Sequence, residues 1–328
     1  MPVRPLLRSV TLATTLALTG TAVTARADSP VPVVVTSITP VYALTGAIME
    51  GVGEPVRLIP QGQSPHTHVL KPSDARAVSK ADVIFWVGPE LEGTLPKTLT
   101  TAPKTAQIVP LLRSLGEAAL PLRDGENWES GHDHDHDHGH SHGHDHGKAT
   151  ADEHEDGLDP HAWLDPQNAK AWAATIAATL SARDPAHAMQ YAANLTKTEQ
   201  QLTALETALQ EKIAPAKAQK VLVFHDAYQY LERRFGLQVI GAVTIDPSRA
   251  PSAKHLKALQ AKVQEQGVTC LYAEPEFPDA VLRTVAQGVK AKVITVDPDG
   301  GAPGKGFAAY EAAMQGVATA VASCAAAG

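Results

Sequence analysis

The sequence predicts an α/β fold of two lobes, each with a mostly parallel sheet flanked by helices. Short apolar runs alternate with stretches of helical spacing, which is typical of parallel strands joined by helical crossovers. The length of 328 residues also exceeds what one hydrophobic core usually organises. The predicted strands cover residues 32–37, 56–59, 81–87 and 107–111 in the first half, and 220–225, 237–243, 268–273 and 292–297 in the second.

A long amphipathic helix is predicted between the two halves, over residues 185–215. No glycine interrupts this stretch, and Pro215 ends it. We interpret the helix as a rigid strut joining lobes that cover residues 28–184 and 216–328; a helix packed wholly on one lobe is the alternative. Its apolar side chains recur at helical spacing, at Tyr191, Leu195, Leu202, Leu205 and Leu209.

The first 27 residues have the pattern of a secretory signal peptide. Arg4 and Arg8 precede an apolar, uncharged stretch over residues 10–23, and the small-residue sequence Ala25-Arg26-Ala27 follows. This stretch is shorter than the roughly 20 residues of a membrane span. We therefore expect a soluble protein that is exported to the periplasm; a short buried N-terminal helix is the alternative.

The overall charge disfavours nucleic acid as a partner. The chain has 28 basic and 35 acidic side chains, a formal net charge of −7. Three of the arginines lie in the predicted signal peptide, so the exported chain is more acidic still. Nucleic-acid phosphates attract basic surfaces, and no nucleic-acid partner is expected.

Two cysteines occur, Cys270 and Cys324. In an exported protein an even number of cysteines predicts a disulfide, and closing so long a loop would stabilise the fold by about 4 kcal/mol in the chain-entropy model. Redox or metal chemistry would favour cysteines close together or beside histidines. Neither arrangement is present, so a structural disulfide is expected.

Residues 125–157 differ sharply in composition from the rest of the chain. They contain nine histidines interleaved with Asp, Gly and Ser. Too few apolar side chains are present to offset the entropy of ordering, so we expect a disordered surface loop within the first lobe. Neutral imidazoles bind Zn²⁺, Ni²⁺ or Cu²⁺, and several weak metal sites are predicted. A pH-dependent charge cluster is the alternative.

Three further histidines lie where a predicted strand or loop meets a turn. His225 closes the apolar run of residues 221–224, at the carboxyl end of a parallel strand, where open α/β sheets place ligands. His161 follows Pro160 and precedes a predicted helix, and His66 lies in a loop after the strand 56–59. All three side chains can face one cleft between the lobes.

Phrases along nearly the whole chain carry a resemblance to a known family. They are SPHTHVLKPSDA from Ser64, ADVIFWVGPELE from Ala81, HAWLDP from His161, FHDAYQY from Phe224, TCLYAEPEF from Thr269 and TVDP from Thr295, together with the His-rich segment. In these the chain resembles the ZnuA-like family, the zinc-receptor branch of the metal-binding proteins of ABC importers. The family also places disulfide cysteines where Cys270 and Cys324 lie.

This resemblance implies that His66, His161 and His225 are the primary metal ligands. Three imidazoles and one open position suit tetrahedral Zn²⁺, with metal–nitrogen distances of roughly 2.0 to 2.1 Å. Related manganese receptors have a carboxylate in place of His225, and hard oxygen donors suit Mn²⁺ better. The histidine therefore favours zinc, although ligand affinity by itself excludes neither Cu²⁺ nor Ni²⁺.

The fourth ligand has several candidates. Asp297 matches a late aspartate that serves as ligand in part of the family, but a turn-forming role is an equal alternative. Water, His68 and Glu274 are the others, with Glu274 favoured as a structural hydrogen-bond acceptor. Asp226 is a candidate either to orient His225 or to cap the following helix.

The implied function is that of a zinc receptor that captures Zn²⁺ in the periplasm and delivers it to the membrane permease of an ABC importer. A periplasmic zinc buffer or chaperone, or a manganese-type receptor, are the alternatives. The sequence contains neither the HExxH nor the GxSxG motif, so no enzyme is expected. We expect a monomer, with a periplasmic zinc donor protein as a candidate second partner.

Deleting residues 131–147 tests the His-rich segment. We expect the deletion to remove several weak zinc sites and to leave one tight site, because flexible chains lose entropy when side chains converge on one ion. The weak sites should fade as the pH falls through roughly 6 to 7, since only neutral imidazole binds the metal. Titration calorimetry of both proteins measures this, and an unchanged total stoichiometry would contradict it.

Overall fold

The computed structural model describes residues 30–123, 157–301 and 304–325. The predicted signal peptide, residues 1–27, and all but the last residue of the predicted His-rich loop lie outside this part. Val31–Gly328 forms one compact unit. Among the described residues, no helix has both the length and the apolar character needed to cross a membrane.

Two parallel four-stranded sheets form the framework, one from each half of the chain. The first has the strand order β2-β1-β3-β4, with β1 Val34–Thr36, β2 Val56–Arg57, β3 Val83–Trp86 and β4 Gln107–Pro110. The second has the order β6-β5-β7-β8, with β5 Lys220–His225, β6 Gln238–Thr244, β7 Cys270–Ala273 and β8 Lys292–Thr295. Each of the eight predicted strands is confirmed, and the two sheets share one topology.

Helices flank both sheets, which confirms the predicted fold class. In the described part of the chain these are α1 Thr39–Ile48, α2 Pro72–Val78, α3 Leu95–Leu99, α4 Pro166–Arg183, α5 Ala188–Ile213, α6 Gln229–Phe235, α7 Ala253–Gln266, α8 Ala280–Val285 and α9 Gly306–Ala322. Helix α7 begins where the Ser252 hydroxyl accepts a hydrogen bond from the His255 amide, and it ends at Gly267 in the left-handed conformation.

The long helix predicted over residues 185–215 is α5, which has 26 residues. It buries a stripe of apolar side chains that includes Tyr191, Leu202 and Leu209. The helix packs against α1 and α4, which precede it in the chain, and against α9, which follows it. It therefore contacts elements that come from both sides of it in the sequence.

One hydrophobic core reaches from the first sheet to the second. It joins side chains such as Ile84 of β3, Leu205 of α5 and Val223 of β5. Successive side chains of a strand point to opposite faces, so Leu222 belongs instead to a second, smaller cluster with Leu259 of α7. The two sheets therefore pack into the same hydrophobic core.

A disulfide joins Cys270 in β7 to Cys324, just after α9, with a Cα–Cα distance of 6.0 Å. This is the pair that the sequence favours. Helix α9 packs on α1 of the first half, so the disulfide fastens the second sheet to a helix that also contacts the first lobe.

Reducing the disulfide should destabilise the protein without unfolding it. We expect the free energy of unfolding to fall by about 4 kcal/mol, because the unfolded chain regains the entropy of an open loop. Urea unfolding with and without reductant measures the difference, and Cys324→Ala should reproduce it without reductant. An unchanged unfolding midpoint in both cases would contradict the prediction.

Candidate metal centre

Three imidazoles converge where the two halves of the chain meet. The Nε2 atoms of His66 and His161 are 3.3 Å apart, and those of His161 and His225 are 3.1 Å apart. In a tetrahedral zinc site with bonds of about 2.0 to 2.1 Å, two ligand nitrogens are about 3.3 Å apart. The three side chains offer ligand atoms that all lie within 4.8 Å of one another, so they can bind one metal ion together.

Each histidine is positioned by a different kind of element. His225 is the last residue of β5, at the carboxyl end of the sheet. His161 lies at the start of a 3-10 turn, Ala162–Leu164, that leads into α4. His66 lies in the irregular segment between β2 and α2. These are the local settings that the sequence predicts.

Two of the imidazoles are oriented by carboxylates. The Nδ1 atom of His161 donates to Asp159 at 2.8 Å, and Asp159 also accepts the His161 amide at 3.0 Å. The Nδ1 atom of His225 donates to Glu274 at 2.6 Å. A metal-bound imidazole usually donates its other N–H to an acceptor, and both pairs turn Nε2 towards the shared point.

Burial controls the charge of these groups. It lowers the pKa of His66 and of His161 well below the usual value, and the neighbouring histidines lower it further. Burial also opposes a proton on His225, but the Glu274 carboxylate outweighs it and raises the pKa of His225. Two of the three imidazoles are therefore neutral at neutral pH, the form that binds metal.

A cavity of about 360 Å³ opens onto two of the three histidines. His66 and His161 line it together with Asp226 and Asp246, while apolar groups such as Leu122 form other parts of the wall. The cavity gives access to the coordination side of the two imidazoles.

The carboxylates considered as fourth ligand have other partners. Asp297 accepts hydrogen bonds from the amides of Asp299, Gly300 and Gly301, which is the turn-forming role. Glu274 is the acceptor for His225, as the sequence favours. His68 lies outside the group of three histidines, with its Nδ1 atom 2.7 Å from the Gln63 amide oxygen.

Asp226 has a role that the sequence analysis missed. It does not cap α6, because the N-cap position of this helix is occupied by Tyr228. Instead, Asp226 forms an ion pair with Arg123, with an Nη2–Oδ1 distance of 2.9 Å. Asp159 was also missed, although its place two residues before His161 in the phrase DPH was a usable signal.

Fold and site together define a two-lobed α/β protein of the metal-receptor class, with three histidines between its sheets. A family model described as "Zinc-uptake complex component A periplasmic", ZnuA, matches residues 34–324. The chain belongs to this family, which confirms the resemblance seen in its sequence.

Similar proteins agree with this assignment. The chain is 39% identical over 304 residues to a protein of Brucella abortus named "High-affinity zinc uptake system protein ZnuA", covering 89% of this chain and 91% of that one. It is 36% identical over 324 residues to a protein of the same name from Paracoccus denitrificans, covering 97% and 99%.

Solved structures share the fold. A ZnuA crystal structure has a TM-score of 0.70 at 23% identity, covering 90% of this chain and 99% of that one. The periplasmic zinc-binding protein TroA from Treponema pallidum has a TM-score of 0.73 at 18% identity, with the same coverage. FpvC from Pseudomonas aeruginosa, solved with Mn²⁺, has a TM-score of 0.69 at 21% identity, covering 90% and 98%.

Removing either orienting carboxylate should weaken metal binding. We expect Asp159→Asn and Glu274→Gln each to lower zinc affinity about 10- to 100-fold, because the imidazole loses its fixed orientation and some of its basicity. Competition against a chromogenic chelator measures the affinity. Asp184→Asn is a matched control, since Asp184 is a buried carboxylate that accepts from His187 at 2.7 Å outside the site. An equal loss in the control would contradict the orienting role.

Proposed function

We propose that this protein is a zinc receptor that captures Zn²⁺ in the periplasm and delivers it to the membrane permease of an ABC importer. The observation that supports it most directly is the convergence of the His66, His161 and His225 Nε2 atoms, at spacings suited to one tetrahedral ion. Membership of the ZnuA family supplies the transport role.

The ligand set favours zinc over manganese. All three side chains offer nitrogen, and imidazole suits Zn²⁺, whereas Mn²⁺ prefers carboxylate and water oxygens. A Mn²⁺-bound structure shares this fold, so the fold alone does not select the ion. The choice rests on His225, which stands at the position where a manganese-type receptor would have a carboxylate.

The fourth coordination position is best filled by water from the cavity. Asp297 and Glu274 are engaged in other hydrogen bonds, and the cavity reaches the His66 and His161 side of the group. A site with three protein nitrogens and one exchangeable ligand holds zinc while leaving it open to transfer.

The cellular setting follows from the sequence and the family. Residues 1–27 would direct export to the periplasm and be removed. We further propose lobes over residues 28–184 and 216–328, with the helix of residues 185–215 as the strut between them. The protein would act as a monomer whose partners are the permease and a zinc donor protein. No enzymatic activity is expected, because the family serves uptake.

Replacing any one of His66, His161 and His225 with Ala should weaken zinc binding by orders of magnitude, because two imidazoles remain to bind the ion. The apo fold should persist. Competition titration gives the affinity, and circular dichroism reports the fold.

His68→Ala is the matched control, since His68 lies in the same segment as His66 but outside the group of three. We expect wild-type affinity in this variant. Tight zinc binding that survives the loss of any two ligand histidines would overturn the assignment. A higher affinity of the wild type for Mn²⁺ than for Zn²⁺ would favour the manganese-type alternative.

A further inference from the structure

The residues just before His161 form one side of a short antiparallel stem. The Leu122 amide donates to the Gly157 carbonyl at 2.7 Å, and the Asp159 amide donates to the Leu120 carbonyl at 2.8 Å. We call residues 120–123 and 157–159 the stem. Because Asp159 belongs to it and also orients His161, any shift of the stem moves a ligand imidazole.

Helix α6, which begins four residues after His225, holds this stem from the second half of the chain. The Gln229 side-chain amide donates to the Pro121 carbonyl and to the Asp159 carboxylate, each at 3.1 Å. The Tyr230 hydroxyl accepts from the Leu120 amide at 2.8 Å and donates to the Asp159 carbonyl at 2.9 Å. The segments that carry His161 and His225 are thus connected directly.

Arg123 closes this connection at the outer end of the stem. Its Nε and Nη2 atoms lie 3.1 and 2.9 Å from the two carboxylate oxygens of Asp226, the residue after His225. Its Nη1 atom lies 2.6 Å from Glu232 on α6. The Asp226 side chain is only 2% exposed, so it depends on this partner, because an unpaired buried carboxylate is costly.

We propose that Arg123 is a positioning residue for the metal centre, which rests on the proposed zinc-receptor function. The Arg123 guanidinium forms ion pairs with both Asp226 and Glu232, and so connects the stem to α6. This fixes the distance between His161 and His225 before metal binds, so that less ordering is needed on binding. For the ion to leave, the two segments must separate, and the ion pair opposes that step.

Arg234 provides a matched control on the same helix. It also forms an ion pair through two nitrogens with Asp165, the residue just before α4, with both N–O distances at 2.8 Å. Asp165 caps the start of α4, where its side chain accepts from the Gln167 amide. Losing Arg234 removes an ion pair of the same kind without touching the stem.

The experiment compares Arg123→Met with Arg234→Met. Zinc-loaded protein is mixed with excess chelator in a stopped-flow instrument, and Co²⁺-substituted protein is examined by visible absorption. We expect Arg123→Met to release zinc at least about tenfold faster, because residues that position metal ligands usually affect a metal site on this scale. We also expect it to alter the Co²⁺ spectrum. Arg234→Met should release zinc within about twofold of the wild-type rate and leave the Co²⁺ spectrum unchanged, because a partly exposed ion pair contributes little.

Two more variants separate positioning from folding. Arg123→Lys should restore the rate only in part, because an ammonium cannot match the fork that binds both acids. Glu232→Gln leaves Asp226 paired, and should give a smaller change in the same direction if Arg123→Met fails to fold. An unchanged release rate in Arg123→Met, or an equal increase in Arg234→Met, would overturn the proposal. Absence of tight zinc binding in the wild type would instead refute the proposed function.

Discussion

The close approach of three imidazoles, two of them buried, is the constraint on which the rest of the structure depends. Imidazoles that direct their Nε2 atoms at one point repel each other unless a proton or a metal ion lies between them, so the protein must hold them there. It does so with carboxylates behind two of them, Asp159 for His161 and Glu274 for His225. Burial keeps His66 and His161 neutral, and so ready to bind metal.

The two sheets make the close approach of the imidazoles possible, because their shared core brings together ligands from distant parts of the chain. Both sheets have the same strand order and share one core through α1, α5 and α9. His225 and Glu274 lie at the ends of the neighbouring strands β5 and β7, which brings together residues 49 positions apart. Trp163 also connects the two halves of the site, since its indole N–H donates a hydrogen bond to the Pro298 carbonyl, just after β8, at 2.7 Å. A site built across a continuous core favours small adjustments over wide hinge motion.

Much of the fold was predictable because its signals are local. Each strand is an apolar run, and the ends of α5 and α7 follow from Pro215 and Ser252. The run 56–59 yields only Val56–Arg57 because Leu58 and Ile59 leave the ladder, although their amides still bond to the carbonyls of β1 and the residue after it. The three histidines were predictable from their phrases. The partners of Arg123 were not, since they lie 103 and 109 residues away and only tertiary packing brings them close.

Charge around the site gives a physical reason for a divalent cation. Three carboxylates, Asp159, Asp226 and Glu274, lie close to the imidazoles, and Arg123 is the cation paired with one of them. Arg123 also binds Glu232, so four carboxylates face one guanidinium, and the group carries three excess negative charges when all four acids are ionised. Burial raises the pKa of Asp159 and of Asp226, so ionising both at once is unfavourable on its own. An ion of charge +2 bound to the three imidazoles offsets more of this excess than a monovalent ion does.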